Sequence, residues 1–349
     1  MPVPRLIPEF APQSGVMLAW PHAKSDWREC LDEIEPVYLQ ISRAISRAIS
    51  RHEPVLIICY DEEHVHHVTR LLVQSGVTLD AIRCIAVPTN DIWIRDYGSM
   101  SVSGDSQPQL LDFTFDGWGG KYEATRDNQV SRYLFDAGVF NVPELSGSSL
   151  ILEGGSLDTD GLGTLLTTTR CLLDSGRNPG MDKVALEACL RECLGTERTL
   201  WLDHGVLSGD DTDGHVDMLA RFCTPTDIAY SQCTDIDDEH YTELGAMEQQ
   251  LRDFTSCDGN PYTLHPLPLP QPVYSNKGER LPASYANFLI INHAVLVPVY
   301  NDPADDQALS ILRRCFPGRE VLAINCLPLL QQYGSLHCAT MQLPAGVLL

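Results

Sequence analysis

The sequence predicts an α/β fold of five repeated strand-strand-helix-strand units closed into a ring, and three observations predict it. Apolar runs of strand length alternate along the chain with stretches whose apolar residues recur at helical spacing. The helices read in this way end near Gln74, Asp136, Cys193, Phe254 and Phe316, at a near-constant step of about 60 residues. Polar, glycine-containing motifs follow those ends at one phase, roughly 20 residues on. Units that bury their faces on neighbours can close on themselves, which protects the sheet edges. Element order alone also permits a doubly wound sheet in two halves. The proline-rich stretch Pro266 to Pro272 is the strongest linker signal, but it falls inside the fourth unit, so we read it as a loop and residues 1–349 as one domain.

In chain order, Gly15 to Trp20 reads as a strand stopped by Pro21. Ser25 or Asp26 caps a helix with Leu31, Ile34, Tyr38, Ile41, Ile45 and Ile49 on one face. Pro54 to Tyr60 reads as a buried strand, and Asp61 caps a second helix ended by Ser75-Gly76. Another strand covers Ile82 to Val87. Further helices run from about Asp127 to Asp136, Met181 to Cys193, Asp238 to Phe254 and Asp305 to Phe316. The fourth unit reads as strands Val216 to Phe222 and Asp227 to Ser231, a helix, and strand Tyr262 to Leu267. The fifth reads as Ala286 to Ile291, Ala294 to Tyr300, a helix, and Glu320 to Asn325.

The 349 residues carry 47 acidic and 24 basic side chains, a formal net charge of -23. Such a field repels nucleic acid and anionic lipid, and it steers a small cation inward. The start, Met1-Pro2-Val3-Pro4-Arg5, has no signal pattern, and no stretch approaches the ~20 apolar residues that span a bilayer, so a cytoplasmic protein is expected. The 12 cysteines are scattered with no CxxC pair, which points to reduced thiols. The sequence leaves a homo-oligomer open.

The chemistry lies in the phased motifs Asn90 to Gly98, Glu153-Gly154-Gly155-Ser156, Asp211 to Asp217 and Gly334 to Gln342. In a closed ring one phase means one place, so four motifs converge on one pocket. The fourth unit supplies Asn276-Lys277-Gly278 at that phase, as a lid or rim. Cys338 is the nucleophile candidate; a thiol attacks as thiolate and needs a nearby base or cation. His215 and Asp217, two apart on a strand, share one face. Asp96 and Asp217 can each accept two N–H bonds from a planar guanidinium, exposing its central carbon to Cys338. His215 can then protonate departing ammonia and activate water, with Glu153 orienting it. Taken singly, each residue also has a structural reading: Asp96 an ion pair with Arg95, Glu153 a turn cap, Asp217 a strand-edge charge, Trp93 and Trp118 core. The ligand types of His215, Asp217 and Cys338 suit zinc, but no second His or Cys arrives at ligand spacing.

The motifs Asn90 to Gly98, Phe115 to Tyr122, Glu153 to Ser156, Cys171-Leu172-Leu173 with Arg177-Asn178-Pro179, Asp211 to Asp217, and Gly334 to Cys338 resemble, in order and over nearly the whole chain, those of the agmatine deiminase and bacterial-type peptidylarginine deiminase family. The resemblance implies the pentein fold, a five-bladed α/β propeller. It implies hydrolysis of a guanidinium to a ureido group and ammonia through a thiouronium on cysteine, without metal or organic cofactor. Cys338 is then the nucleophile, His215 the general acid/base, Glu153 its acidic partner, Asp96 with Asp217 the clamp, and Trp93 with Trp118 the pocket walls. Ser99, where the family usually has Pro, and His293, where Gly is common, depart from the pattern.

The expected activity is hydrolysis of agmatine to N-carbamoylputrescine, with Asp210, Asp211 or Asp213 receiving the distal ammonium. One rival is deimination of peptidyl-arginine or another guanidine, for which Lys121, Arg126 and Lys277 are available cations. Another is a silent module that binds polyamines, which needs carboxylates but no thiol. Whether the free-enzyme thiol is already ionised is left open.

Overall fold

The computed structural model describes residues 4–47, 53–105 and 107–348; Met1 to Val3 and Ile49 lie outside them. Strand β1 (Gln13–Ala19) is followed by helix α1 (Leu31–Arg47), strand β2 (Val55–Cys59), helix α2 (Glu62–Gln74) and strand β3 (Ile82–Ala86). The three strands pair in parallel, as the intervening helices require. Ser25 caps a short 3-10 turn ahead of α1, and Asp61 caps α2 by accepting from the His64 backbone N–H. Ile34, Tyr38, Ile41 and Ile45 are fully buried, each contributing about 1.5–3 kcal/mol by leaving water.

Four three-stranded sheets follow, each an antiparallel pair plus a parallel strand reached through a helix. The short helix α3 (Ile94–Tyr97) leads into β4 (Met100–Val102), β5 (Gln109–Thr114), α4 (Val130–Asp136) and β6 (Leu145–Ile151). Next come β7 (Leu157–Thr159), β8 (Thr164–Thr168), α5 (Thr169–Leu172), α6 (Lys183–Leu194) and β9 (Arg198–Leu202). Then follow β10 (Ala220–Thr224), β11 (Asp227–Gln232), α7 (Tyr241–Asp253) and β12 (Thr263–Pro268). The last set is β13 (Leu289–Ile290), β14 (Ala294–Val299), α8 (Asp305–Cys315) and β15 (Glu320–Asn325). After α9 (Leu327–Leu330), β16 (Thr340–Pro344) returns to pair antiparallel with β1. The described residues thus form a mixed α/β protein of five separate open sheets, and among them no helix is long and apolar enough to cross a membrane.

Three sequence readings are corrected. The stretch beginning at Val216 is not a strand at first: Val216–Met218 form a 3-10 turn, and β10 starts only at Ala220. Strand β13 covers only Leu289–Ile290 of the span Ala286 to Ile291. Pro266 and Pro268 lie inside β12, not in a loop; β12 is an edge strand, where the missing N–H breaks no ladder bond.

Candidate active site

The five chain segments that pass from one sheet to the next carry the polar residues, and they bond to one another. From the first, Asp96 Oδ1 accepts from the Gly155 N–H of the second at 2.9 Å, and lies 3.6 Å from His215 Nδ1 of the third. From the fourth, the Asn287 amide reaches the Asp217 carbonyl of the third at 3.4 Å and Cys338 Sγ of the fifth at 3.3 Å. The fifth closes on the first through Arg95 N–H to the Cys338 carbonyl, 3.2 Å. The first segment is held rigid from outside: Asp127 accepts from the Asn90 and Asp91 N–H groups, and Asp91 from the Trp27 indole. Arg95 turns away from Asp96 and pairs with Glu9 at 3.3 Å, so it does not neutralise the neighbouring carboxylate.

His215 is fully buried, with Nε2 3.1 Å from Glu153 Oε2 and Nδ1 without a hydrogen-bond partner. Glu153 is fixed in turn by Arg177, whose Nε donates to both carboxylate oxygens at 2.9 and 2.8 Å. Burial disfavours a charged His215, but Asp96, the Cys171 sulfur and Glu153 outweigh it and hold the imidazole pKa well above its usual range. Burial likewise opposes ionisation of Glu153, yet His215 and Arg177 hold its pKa below normal. The pair is therefore an imidazolium on a carboxylate, a proton store at the site.

Cys338 is 6% exposed, beside Asn287 and 3.7 Å from Asp217 Oδ2. Burial, then the charges of Asp217 and Asp96, push its thiol pKa well up, so the thiol is protonated while no cation lies between these groups. Asp96 is itself pushed up by burial, with Asp217 and Glu153 adding against the pull of His215. Burial raises Asp217 too, but the hydrogen bond and charge of His337 reverse the sign and hold its pKa low. Asp217 Oδ1 is buried and has no partner. Gly155 shows how tight the space is: a Cβ there would lie 2.7 Å from His215 Nδ1, 2.8 Å from Asp96 Oδ1 and 3.1 Å from Asp217 Oδ2.

A cleft leads to Cys338. Among the described residues its lining holds five aspartates (26, 91, 96, 210 and 211) and no lysine or arginine. Trp93 and Trp118 form part of it, with Tyr122 and Tyr333. Trp118 has φ 58° between Gly117 and Gly119, also left-handed, a costly conformation for a bulky residue. It is held by its indole N–H donating to Asp96 Oδ2 at 2.9 Å.

The structure therefore brings together Cys338, His215, Glu153, Asp217, Asp96, Trp93 and Trp118. The distal aspartates fare differently. Asp213 does not line the cleft; Lys121 and Arg177 each bind it at 2.9 Å. Asp210 spends its oxygens on Thr212 and the Gly214 N–H, as a turn residue does. Asp211 lines the cleft with its carboxylate shared by the Tyr122 hydroxyl and Lys121. Asn276 to Gly278 sit in an exposed hairpin whose Glu279 reaches Tyr333; the fourth segment meets Cys338 through Asn287 instead. Asn287, His337, Glu9, Asp26, Asp91 and the role of Arg177 escaped the sequence reading. His337, Asp91 and Arg177 stood in the quoted motifs without a role, and no periodic signal marks Asn287, Glu9 or Asp26.

The zinc alternative does not assemble from His215, Asp217 and Cys338. The donor atoms that do lie within 4.8 Å of one another belong to Glu153, Cys171 and His215. Both Glu153 oxygens already accept from the Arg177 guanidinium, which would face and repel a metal ion there.

The sequence profile of the Porphyromonas-type peptidyl-arginine deiminase family matches residues 5–344. The agmatine deiminase of Stutzerimonas stutzeri is 32% identical over 97% of this chain and 94% of its own length. A cysteine-to-serine variant of the C. jejuni agmatine deiminase, solved with substrate bound, superposes with a TM-score of 0.90 at 34% identity, covering 99% of this chain and 97% of that one. A Porphyromonas gingivalis structure provisionally named an arginine deiminase superposes with a TM-score of 0.91 at 45% identity, covering 99% of this chain and 100% of that one.

Proposed function

The chain belongs to the Porphyromonas-type peptidyl-arginine deiminase family, and from that premise we propose that it hydrolyses agmatine to N-carbamoylputrescine and ammonia. The observation that carries the choice of substrate is the cleft lining, five aspartates with no basic residue. A guanidinium with a distal ammonium suits that lining, whereas a substrate carboxylate finds no partner in it.

The chemistry uses the groups as placed. Asp96 and Asp217 clamp the guanidinium, the orphaned Asp217 Oδ1 being the free acceptor. The arriving cation offsets the two charges that keep Cys338 protonated, so on binding the thiol gives its proton to solvent and the thiolate forms. The sulfur attacks the central carbon to give a tetrahedral adduct. Imidazolium His215, held by Glu153, donates a proton to one nitrogen, ammonia leaves, and a thiouronium remains. Neutral His215 then takes a proton from water, whose oxygen adds to the same carbon. Collapse expels the sulfur as thiolate, which takes up the remaining hydroxyl proton, and yields the neutral ureido product with Cys338 again a thiol. Trp93 and Trp118 wall the alkyl chain, and Asp211, with Asp26 and Asp91 in the same lining, attracts the distal ammonium.

This reading makes the chain one domain, its five sheets the blades of a pentein propeller, and its small free amine substrate one met in the cytoplasm. The mutual bonding of the five inter-sheet segments supports the propeller. The 45% identity to the Porphyromonas gingivalis protein favours a second reading, arginine deimination. Against it, Lys121 is engaged by Asp213, and Arg126 by the Tyr60 hydroxyl at 3.0 Å.

The deciding experiment measures ammonia and ureido product from agmatine, free arginine and a blocked arginine peptide, with Cys338→Ala as control. Turnover of agmatine, abolished in the control, is expected. Preferred turnover of either arginine substrate would replace the reading, and binding of agmatine without turnover would leave a polyamine-binding module.

A further inference from the structure

Behind Asp217, on the side away from the cleft, lies a line of buried charges that the chemistry above leaves unused. His337 is 2% exposed, with Nδ1 2.8 Å from Asp217 Oδ2 and Nε2 2.6 Å from Glu9 Oε2. Carboxylates only accept, so both ring nitrogens donate. Glu9 belongs to the arm ahead of β1. That arm is fixed by the Leu6 N–H to the Leu194 carbonyl at 2.9 Å and the Ile7 N–H to the Ser101 carbonyl at 3.0 Å. The Glu9 carboxylate is further held by Arg221 at 3.1 Å, Arg95 at 3.3 Å and the Ile290 N–H at 2.7 Å. The imidazole is thus clamped from a side that substrate does not enter.

The two oxygens of Asp217 are in different states. Oδ2 has the His337 donor, while Oδ1, equally buried, has none. An unheld carboxylate at this depth would rotate toward whatever donors it could find, including the Cys338 thiol 3.7 Å away. On the reading of Asp217 as guanidinium clamp, we propose that His337, anchored by Glu9, is a positioning residue: it fixes one oxygen of Asp217 and so keeps the other bare and aimed at the substrate guanidinium. The N-terminal arm thereby takes part in substrate recognition although it touches no substrate.

The test separates the two ends of the ring. In His337→Asn the amide can stand where Nδ1 stood and keep the donor to Asp217. In His337→Gln it stands nearer Nε2, keeps the link to Glu9 and loses Asp217. The expected result is a KM for agmatine within about threefold of wild type for His337→Asn, and raised about tenfold or more for His337→Gln, at similar thermal midpoints. The charged groups around the ring are Asp217, Glu9, Arg95, Arg221 with its partner Asp158, and, beyond Asp217, His215 and Asp96. Both variants lose the charge of His337, but only His337→Gln also loses the donor, so the acid limb of kcat/KM moves further to higher pH in His337→Gln than in His337→Asn. Equal KM values in the two variants, or failure of both to fold, would return His337 to a purely structural role. Asp217→Asn with wild-type kinetics would instead remove the clamp reading itself.

Discussion

At Cys338 the neighbours decide the protonation state. Burial and two carboxylates keep the thiol protonated, so in the free protein its alkylation by iodoacetamide is expected to lag behind that of exposed Cys257 at neutral pH and to climb steeply in alkali. Mass mapping of alkylated peptides across pH checks this; Cys338 reacting first at pH 7 would show a preformed thiolate. Gly155 carries the other prediction at this scale. A methyl there would meet the side-chain ends of His215, Asp96 and Asp217 at once, in the space assigned to the guanidinium. Gly155→Ala is expected to lower kcat/KM by roughly a hundredfold or more with little change in thermal midpoint, because misplacement by about 1 Å costs that much.

Between elements, Arg177 does the joining. It follows α5, and from there it grips Glu153 ahead of β7, the Thr212 carbonyl at 2.9 Å and Asp213 ahead of β10. Two loops and a helix end are thereby referenced to one guanidinium, each of whose three nitrogens donates. Arg177→Gln takes one of its two cations from buried Glu153, leaving only His215, and about 3–5 kcal/mol of stability is expected to go, read by urea unfolding. Lys121 at Asp213 would partly compensate if the loop shifted. A loss under 1 kcal/mol would show that the loops are held by other contacts.

Over the whole molecule, two sets of carboxyls pull stability in opposite directions with pH. Burial raises Glu53 to about 7 and Asp91 and Asp112 to about 6. Here the folded protein holds protons that the unfolded chain has released, so stability falls as pH rises from the ordinary carboxylate range through 6 to 7. Glu9, Glu153 and Asp217 are lowered despite burial by their cationic partners. Their contribution is present above the ordinary range and is lost as pH falls below it. The thermal midpoint is therefore expected to peak near pH ~5, lower at both pH 8 and pH 3.5. The net charge of -23 acts in the same sense on the alkaline side. It also gives a kinetic expectation: KM for a dicationic substrate should rise with added salt, and a salt-independent KM would confine the attraction to the cleft.

What the sequence determined by itself was local and ordered. Apolar spacing gave the helices to within a few residues, since a buried stripe must recur at helical pitch. The motifs offered Cys338, His215, Glu153, Asp217 and Asp96 as candidates, because a guanidinium needs carboxylates, a proton carrier and a nucleophile. The tertiary structure alone decided which groups meet between elements far apart in the chain. Glu9 reaches His337, Asn287 reaches Cys338, and Arg177 takes Asp213 out of the cleft. Such pairings follow from how the sheets pack, and packing leaves no periodic trace in the sequence. The same holds for the thiol: its residue type is written in the chain, but its protonation is set by charges that only folding brings beside it.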